Sequence, residues 1–122
     1  MMCPCGSEKD YSKCCGPYVE GKESPPTPES LMRSRYTAYT QNNLDYIEKT
    51  MRGEALKRFD RKGGTGVEWI KLDVLFSEEE GDEGTVQFIA RFRHQGEERL
   101  LHEISSFQKV NGKWYYTKGI VS

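Results

Sequence analysis

The sequence predicts an α+β fold, with helices in the first half of the chain and an antiparallel sheet in the second. Apolar residues recur at three- and four-residue steps from Glu29 to about Gln41, which is the pattern of an amphipathic helix, and two shorter helical segments follow before residue 62. After Gly66 they alternate with polar residues in runs separated by short turns, which is the pattern of strands joined by hairpins. Helices followed by a meander of strands predict a layer of helices packed on one face of a sheet. The 122 residues fit one compact domain.

The first element is a cysteine-rich segment. All four cysteines of the chain lie in its first fifteen residues, as the pairs Cys3-x-Cys5 and Cys14-Cys15. Four thiolates brought to one point suit the tetrahedral geometry and the ligand preference of Zn²⁺. A site in which all four ligands are protein thiolates leaves no position for a reactive water, so we expect a structural zinc site rather than a hydrolytic one.

Disulfide bonds are the alternative for these cysteines. Only the two long-range pairings are sterically comfortable, because Cys3 with Cys5 or Cys14 with Cys15 would close very small rings. The N-terminus shows no apolar signal-peptide segment, and no apolar stretch approaches the length of a membrane span. We therefore expect a reducing cytoplasmic location, which favours zinc over disulfides.

The residues around the cysteines suit a tight knuckle. Pro4 restricts φ between the first two ligands, and we expect Gly6 and Gly16 to adopt positive φ after the second and fourth ligands. Lys9 and Lys13 are candidates to offset the formal charge of −2 that four thiolates leave around Zn²⁺, and solvated surface lysines are the alternative.

A proline-rich stretch separates the knuckle from the rest of the chain. Three of the four residues in Pro25-Pro26-Thr27-Pro28 are proline, which precludes regular secondary structure. We predict a knuckle at residues 1–22, a linker at 23–28 and an α+β domain at 29–122.

The helices are predicted in order from the apolar spacing. The first runs from Glu29 to about Gln41, with Thr27 or Pro28 before it. A second runs from Leu44 to Met51, after Asn42-Asn43 interrupts the pattern. A third and weaker one covers residues 54–60 and ends at the glycines of residues 62–66.

The strands follow from alternation and turn residues. We predict strands at Val67–Phe76, Thr85–His94, Leu100–Val110 and Lys113–Val121. The connections are an acidic turn at residues 77–84, a tight hairpin at residues 95–97 and the Asn111-Gly112 hairpin turn.

Strand parity identifies a candidate pocket. Glu103, Ser105 and Phe107 share one face of the third strand, and Trp114 and Tyr116 share a face of the fourth. The aromatic residues favour this face as the interior. The predicted pocket residues are Arg35, Tyr39, Glu103 and Trp114. A buried Glu103 requires a cation, and Arg35 on the first helix is the expected partner, more as a structural pair than as a catalytic site.

The two histidines give little support to catalysis. His94 lies at the end of a predicted hairpin, and His102 faces away from Glu103 by parity. We therefore assign no catalytic residue.

Two stretches of sequence resemble known families. Cys-Pro-Cys-Gly-Ser at residues 3–7, with Lys9, Tyr11 and Lys13 before the Cys-Cys-Gly of residues 14–16, is similar to the SEC-C motif, a zinc knuckle found in the tail of the SecA translocase and in other bacterial proteins. The motif usually has a glycine where this chain has Glu8. The stretch Leu-Met-Arg-Ser-Arg-Tyr-Thr-Ala-Tyr at residues 31–39 and the closing Trp-Tyr-Tyr at residues 114–116 before Gly119 resemble the YchJ family of uncharacterised bacterial proteins.

The resemblance implies a fold and a kind of function. It implies a nuclear transport factor 2-like domain, in which helices cover the concave face of a strongly bent sheet to form a cone. The SecA tail engages a chaperone and the ribosome, so the resemblance implies a chaperone or ribosome-linked protein partner. We expect a non-catalytic, zinc-binding interaction module. The alternative is an enzyme or a small-ligand-binding protein that uses the cavity of the cone.

Charge does not favour a nucleic-acid partner. The formal net charge is −1, and the knuckle has equal numbers of basic and acidic residues. The basic residues between Lys49 and Lys62 and the acidic ones between Glu78 and Glu83 are expected to be solvated surfaces. Head-to-tail pairing of these two segments could also join two copies in a homodimer.

Overall fold

The computed structural model describes residues 1–61 and 66–122. In chain order these residues form a 3₁₀ turn at Tyr11–Lys13, helices α1 (Gly16–Val19), α2 (Pro28–Thr40), α3 (Leu44–Lys49) and α4 (Gly53–Lys57), and strands β1 (Val67–Glu80), β2 (Glu83–His94), β3 (Glu97–Val110) and β4 (Lys113–Val121). The strands form one antiparallel sheet in the order β1-β2-β3-β4. The predicted α+β fold with a curved antiparallel sheet is confirmed.

Helix α2 begins at a capping box. The Thr27 side chain accepts a hydrogen bond from the Ser30 amide at 3.0 Å, and the Ser30 hydroxyl accepts one from the Thr27 amide at 3.0 Å. Pro28 takes the first helical position, where its missing N–H has no helical partner to lose. Leu31, Ala38 and other α2 side chains are buried, so this helix is the one most deeply packed against the sheet.

Helices α3 and α4 are shorter than the sequence predicts. The first ends at Lys49 rather than Met51, because the chain after it pairs with strand β4. The Tyr116 amide donates to the Thr50 carbonyl at 2.8 Å, and the Arg52 amide donates to the Tyr116 carbonyl at 3.0 Å. Of the glycine-rich stretch predicted to end the third helix, residues 62–65 lie outside the described residues.

The acidic segment at residues 77–84 is strand rather than an extended turn. Strand β1 continues to Glu80 and strand β2 begins at Glu83. These two residues face each other across the hairpin, and only Gly81 and Asp82 form the turn. Both faces of this hairpin end are largely exposed, so it carries none of the apolar alternation on which the prediction depended. Pairing between the strands, with Gly81 at φ 60°, sets the conformation here.

The two faces of the sheet follow the predicted parity. Ser105 and Phe107 are buried on the face that α2 covers, as is Trp114. Ile104 lies on the opposite face and is 39% exposed. The predicted interior face is therefore confirmed.

The cysteine-rich segment packs onto the domain. Cys3, Cys5 and Cys15 belong to the same cluster of buried residues as Leu31 of α2 and Leu72 of β1. The proline-rich stretch also packs, since the Trp114 indole donates to a carbonyl of residue 26 at 3.2 Å. The knuckle and the sheet thus share one hydrophobic core.

Candidate metal centre and cone cavity

The four cysteines converge on one point. A short loop folds residues 3–9 back on themselves, because the Cys3 amide donates to the Lys9 carbonyl at 2.9 Å. Cys14 follows the 3₁₀ turn, and Cys15 is the N-cap residue directly before α1. All four Sγ atoms lie within 4.8 Å of one another.

The distances between the sulfurs fit a tetrahedral metal site. The Sγ of Cys14 lies 3.6 Å from that of Cys5 and 4.0 Å from that of Cys15. With a Zn–S bond of about 2.3 Å, the edges of a regular tetrahedron of sulfurs are about 3.8 Å long. Both distances exceed a disulfide bond of about 2.05 Å, and the four cysteines are free thiols. The cluster could therefore hold a metal ion.

Polar groups surround the cluster. The Ser7 hydroxyl lies 3.1 Å from the Sγ of Cys14, and the Thr37 hydroxyl lies 3.8 Å from the Sγ of Cys3. Arg33 donates to the Cys5 carbonyl at 2.8 Å, which ties α2 to the knuckle. The sequence prediction missed the contacts of Arg33 and Thr37, since only the fold brings α2 to the cysteines and no spacing in the sequence reports it. Lys9 and Lys13, the predicted charge-compensating residues, are exposed.

The turns of the knuckle differ in part from the prediction. Gly6 adopts φ 82°, as predicted. Glu8 adopts φ 67°, a conformation that costs a residue with a side chain about 1–2 kcal/mol. Gly16 was predicted wrongly, because it is the first residue of α1 and has no positive φ. Glycine is required there for space: a Cβ would lie 2.8 Å from the Tyr11 carbonyl oxygen.

The thiols share protons unequally. A hydrogen bond from Cys15 lowers the pKa of Cys5 to about 4, and the same contact, with burial, raises the pKa of Cys15. Burial also raises the pKa of Cys14. Sulfurs held this closely compete for protons. A divalent cation bound by the thiolates would take the place of those protons and relieve the competition.

A second site lies between α2, α4 and the concave face of the sheet. It is a cavity of about 500 Å³. Its walls are mostly apolar and aromatic, and its polar groups come from both the sheet and the helices. The residues that line it are Met32, Arg35, Tyr36, Tyr39, Met51, Glu54, Ala55, Arg58, Phe59, Asp60, Trp69, Phe88, Ala90, Leu101, Glu103, Tyr116, Lys118 and Gly119. Three of the predicted pocket residues, Arg35, Tyr39 and Glu103, are therefore brought together.

The predicted direct pair between Arg35 and Glu103 is wrong. Arg35 donates to the Ile47 carbonyl at 2.8 Å and to the Thr50 hydroxyl at 2.6 Å, and its guanidinium lies over the Tyr116 ring, 4.5 Å from the centroid. Glu103 instead accepts hydrogen bonds from the hydroxyls of Ser105 and Tyr116. Tyr116 contacts both charged groups and takes the place of the direct ion pair.

The prediction that Trp114 lines the pocket is also wrong. Trp114 is 3% exposed and packs within the main core, where its indole is held by the hydrogen bond to residue 26. Tyr116, two residues along β4 on the same face, reaches the cavity. Strand parity identified the correct face, but not which of its aromatic residues lies beside the cavity.

Neither histidine lines the cavity or the cysteine cluster. His102 faces the outer side of the sheet, where its ring contacts the side chains of Gln87 and Ser122. In the basic segment, Arg61 forms ion pairs with Asp45 and Glu48. None of the helices in residues 1–61 and 66–122 has the length and hydrophobicity that crossing a membrane requires.

Known proteins match both parts of the chain. The family model for the YchJ middle NTF2-like domain matches residues 27–119, and the SEC-C motif matches residues 2–17. A UPF0225 protein of Geobacter sulfurreducens is 42% identical over 125 residues, which cover 97% of this chain and 78% of the relative.

Two solved structures are similar along the whole chain. A SEC-C motif containing protein from Rhodopseudomonas palustris, solved in solution, is 44% identical with a TM-score of 0.92, covering 100% of this chain and 99% of that one. A SEC-C motif containing protein from Psychrobacter arcticus, a crystal structure, is 26% identical with a TM-score of 0.82, covering 100% and 83% of the two chains. The chain therefore belongs to the YchJ (UPF0225) family and combines an N-terminal SEC-C motif with an NTF2-like domain.

Proposed function

We propose that the four cysteines bind one Zn²⁺ ion and that the metal has a structural, non-catalytic role. The observation that supports this most directly is the convergence of the four Sγ atoms within 4.8 Å. Four sulfur donors in a tetrahedral arrangement favour Zn²⁺ over Mg²⁺ or Ca²⁺, which prefer oxygen ligands. With four protein ligands the coordination is complete, and no water is bound for activation.

The position of the cluster supports a structural role. Cys3, Cys5 and Cys15 are each 5% exposed or less, so a metal there would be largely shielded from substrates. The first fifteen residues are too few to build a core of their own, and zinc would hold them in place against α2.

Metal content and stability of the full chain test this proposal. We expect the protein, purified under reducing conditions, to contain one zinc per chain, and Cys14→Ser to contain much less. Lys13→Ala is the matched control, because it changes an exposed neighbour of Cys14 and should retain the metal. Stoichiometric iron, or protein free of metal with unchanged thermal stability after chelation, would refute the zinc assignment.

We further propose that the outer side of the knuckle docks a protein partner in the cytoplasm. Glu8, Lys9, Asp10 and Lys13 are exposed there and carry both signs of charge, which suits a polar protein surface better than nucleic acid. A chaperone or ribosome-linked partner is proposed from the SEC-C resemblance alone. Pairing of two copies in a homodimer is the other arrangement proposed for the chain.

The aromatic residues of the knuckle give this docking proposal limited support. Tyr11 and Tyr18 are only half-buried, but each packs against a buried cluster of its own chain. Copurification from lysate by the full chain, compared with the charge-reversal variant Lys9→Glu/Lys13→Glu, tests the docking surface. A partner list that charge reversal leaves unchanged would contradict it, since both lysines are exposed and the metal ligands remain intact.

A second candidate function is the binding of a small molecule in the cone. The specific observation is the cavity of about 500 Å³ between the helices and the sheet. Ligand sites commonly have volumes of about 300–1,000 Å³, apolar walls and a few polar groups that converge. Arg35, Glu103 and Tyr116 supply such groups here. Binding of small apolar probes to the purified chain tests this candidate.

A further inference from the structure

We propose that the cone cavity binds a monocarboxylate with a flat, apolar body, and that Arg35 holds the carboxylate. This inference rests on the second candidate function, that the cavity binds a small molecule. It adds the chemical class of the ligand and the residue that selects it.

Arg35 is a buried cation with hydrogen-bonding capacity left over. The residue is 3% exposed, and burial lowers its pKa. Both of its hydrogen bonds within the described residues leave from Nη1, to Ile47 and Thr50. Its Nε–H and Nη2–H groups remain for another partner. No fully buried side-chain nitrogen or oxygen of the described residues lacks a hydrogen bond, so these two groups are not sealed within the protein. Arg35 lines the cavity, which is the open space beside it.

The charge of Arg35 is not neutralised by a direct ion pair. Among the ion pairs in the described part of the chain, none includes Arg35. Glu103, the partner predicted from the sequence, instead accepts hydrogen bonds from Ser105 and Tyr116. A buried charge is costly unless an opposite charge or several hydrogen bonds compensate it. An anion in the cavity would supply that compensation.

The free edge of the guanidinium favours a carboxylate. Nε–H and Nη2–H are adjacent parallel donors, and a planar carboxylate can accept from both at once. The contact with the Tyr116 ring holds the guanidinium plane in place. Glu103 also lines the cavity, where it accepts a hydrogen bond from the Tyr116 hydroxyl, and it would repel a second negative charge brought near it. This favours a monocarboxylate over a dicarboxylate or a phosphate.

The walls of the cavity favour a flat apolar body. The rings of Tyr36 and Tyr39 each lie with their centroid 5.8 Å from that of Trp69, and Phe88 and Met32 complete the surface. Aromatic side chains arranged in this way offer faces and edges against which a planar ring can pack. The volume of about 500 Å³ accommodates one or two fused rings with their carboxylate.

Two isosteric probes test the inference on the full-length chain loaded with zinc. The probes are 2-naphthoate and its neutral counterpart 2-naphthamide, titrated calorimetrically at pH 7. We expect 2-naphthoate to bind at least tenfold more tightly than 2-naphthamide, because only the carboxylate pairs with the buried guanidinium. Arg35→Met should abolish this preference. Arg99→Met, which removes one exposed positive charge of strand β3, is the matched control and should keep it.

The outcomes separate the two levels of the proposal. Equal binding of both probes to the wild-type chain would overturn the role of Arg35 while leaving the cavity as a ligand site. Failure of both probes to bind at millimolar concentration would overturn the cavity proposal and the inference with it. If Arg35→Met does not fold, NMR of the wild-type chain decides, since 2-naphthoate must shift the Arg35 Nε–H resonance. An unshifted resonance at saturating 2-naphthoate would overturn the assignment.

Discussion

Glu8 is a point of conformational strain that substitution should relieve. Its φ of 67° lies in the left-handed region, which costs a non-glycine residue about 1–2 kcal/mol. Glycine removes that cost but loses about 0.5–1 kcal/mol through the greater freedom of the unfolded chain. Glu8→Gly should therefore raise the free energy of unfolding by about 0.5–1 kcal/mol. For a chain of this size the midpoint of thermal unfolding should rise by about 2–4 °C.

The assay is urea denaturation at a fixed excess of zinc, so that the proposed metal contributes equally to all variants. The midpoint should rise at constant slope, which would indicate a change in stability rather than in the unfolded state. Glu8→Ala is the first control: it removes the exposed side chain but keeps the left-handed conformation, so it should change stability little. Glu20→Gly is the second, because Glu20 is exposed with φ −82°, and it should destabilise. The reasoning is refuted if Glu8→Gly is no more stable than Glu8→Ala.

Two further predictions concern contacts of the knuckle and of α2. Gly16→Ala should destabilise the chain by about 1–3 kcal/mol and speed the release of the proposed zinc ion to a chelator, because its Cβ would lie 2.8 Å from the Tyr11 carbonyl oxygen. Unchanged release would contradict this. Partial burial acts to raise the pKa of Glu29, but hydrogen bonds from Arg33 and Ser77 outweigh it and the pKa lies below its ordinary value. The contribution of Glu29 is therefore present above its unfolded pKa of about 4.3 and lost as pH falls through the lower folded value. Denaturation should show Glu29→Gln less stable than wild type by about 0.5 kcal/mol at pH 7, a difference that shrinks as the pH falls below the unfolded pKa of about 4.3; a difference constant with pH would contradict it.

Local chemistry accounts for what the sequence could predict. The cysteine spacing indicates a metal site because ligand type and number are properties of the residues themselves. Alternation assigned Ser105 and Phe107 to the interior because side-chain direction in a strand depends only on parity. Thr27 and Pro28 marked the start of α2 through the hydrogen bonds of its first turn.

Tertiary packing accounts for what the sequence could not predict. The opposite charges of Arg35 and Glu103 suggested a direct ion pair. In the fold Tyr116 contacts both residues, and the sequence alone does not show that its side chain lies there. Glycine is required at position 16 because a Cβ there would clash with Tyr11. The turn preferences of glycine do not predict this contact. The sequence also could not show that the cysteines lie within the main core. The proline-rich stretch that joins them to α2 has the composition of a flexible or stiff tether whether or not it packs on the domain.

Helix α2 links the two candidate sites. Successive residues of an α-helix are about 100° apart, so Arg33 and Arg35 project from nearly opposite sides. On one side, Arg33 holds the Cys5 carbonyl and Thr37 lies against the Sγ of Cys3. On the other, Arg35 and Tyr39 line the cavity. The cysteine cluster therefore contacts one side of the helix whose other side forms the cavity wall, which gives a physical reason for joining a cysteine knuckle to a cone in one chain.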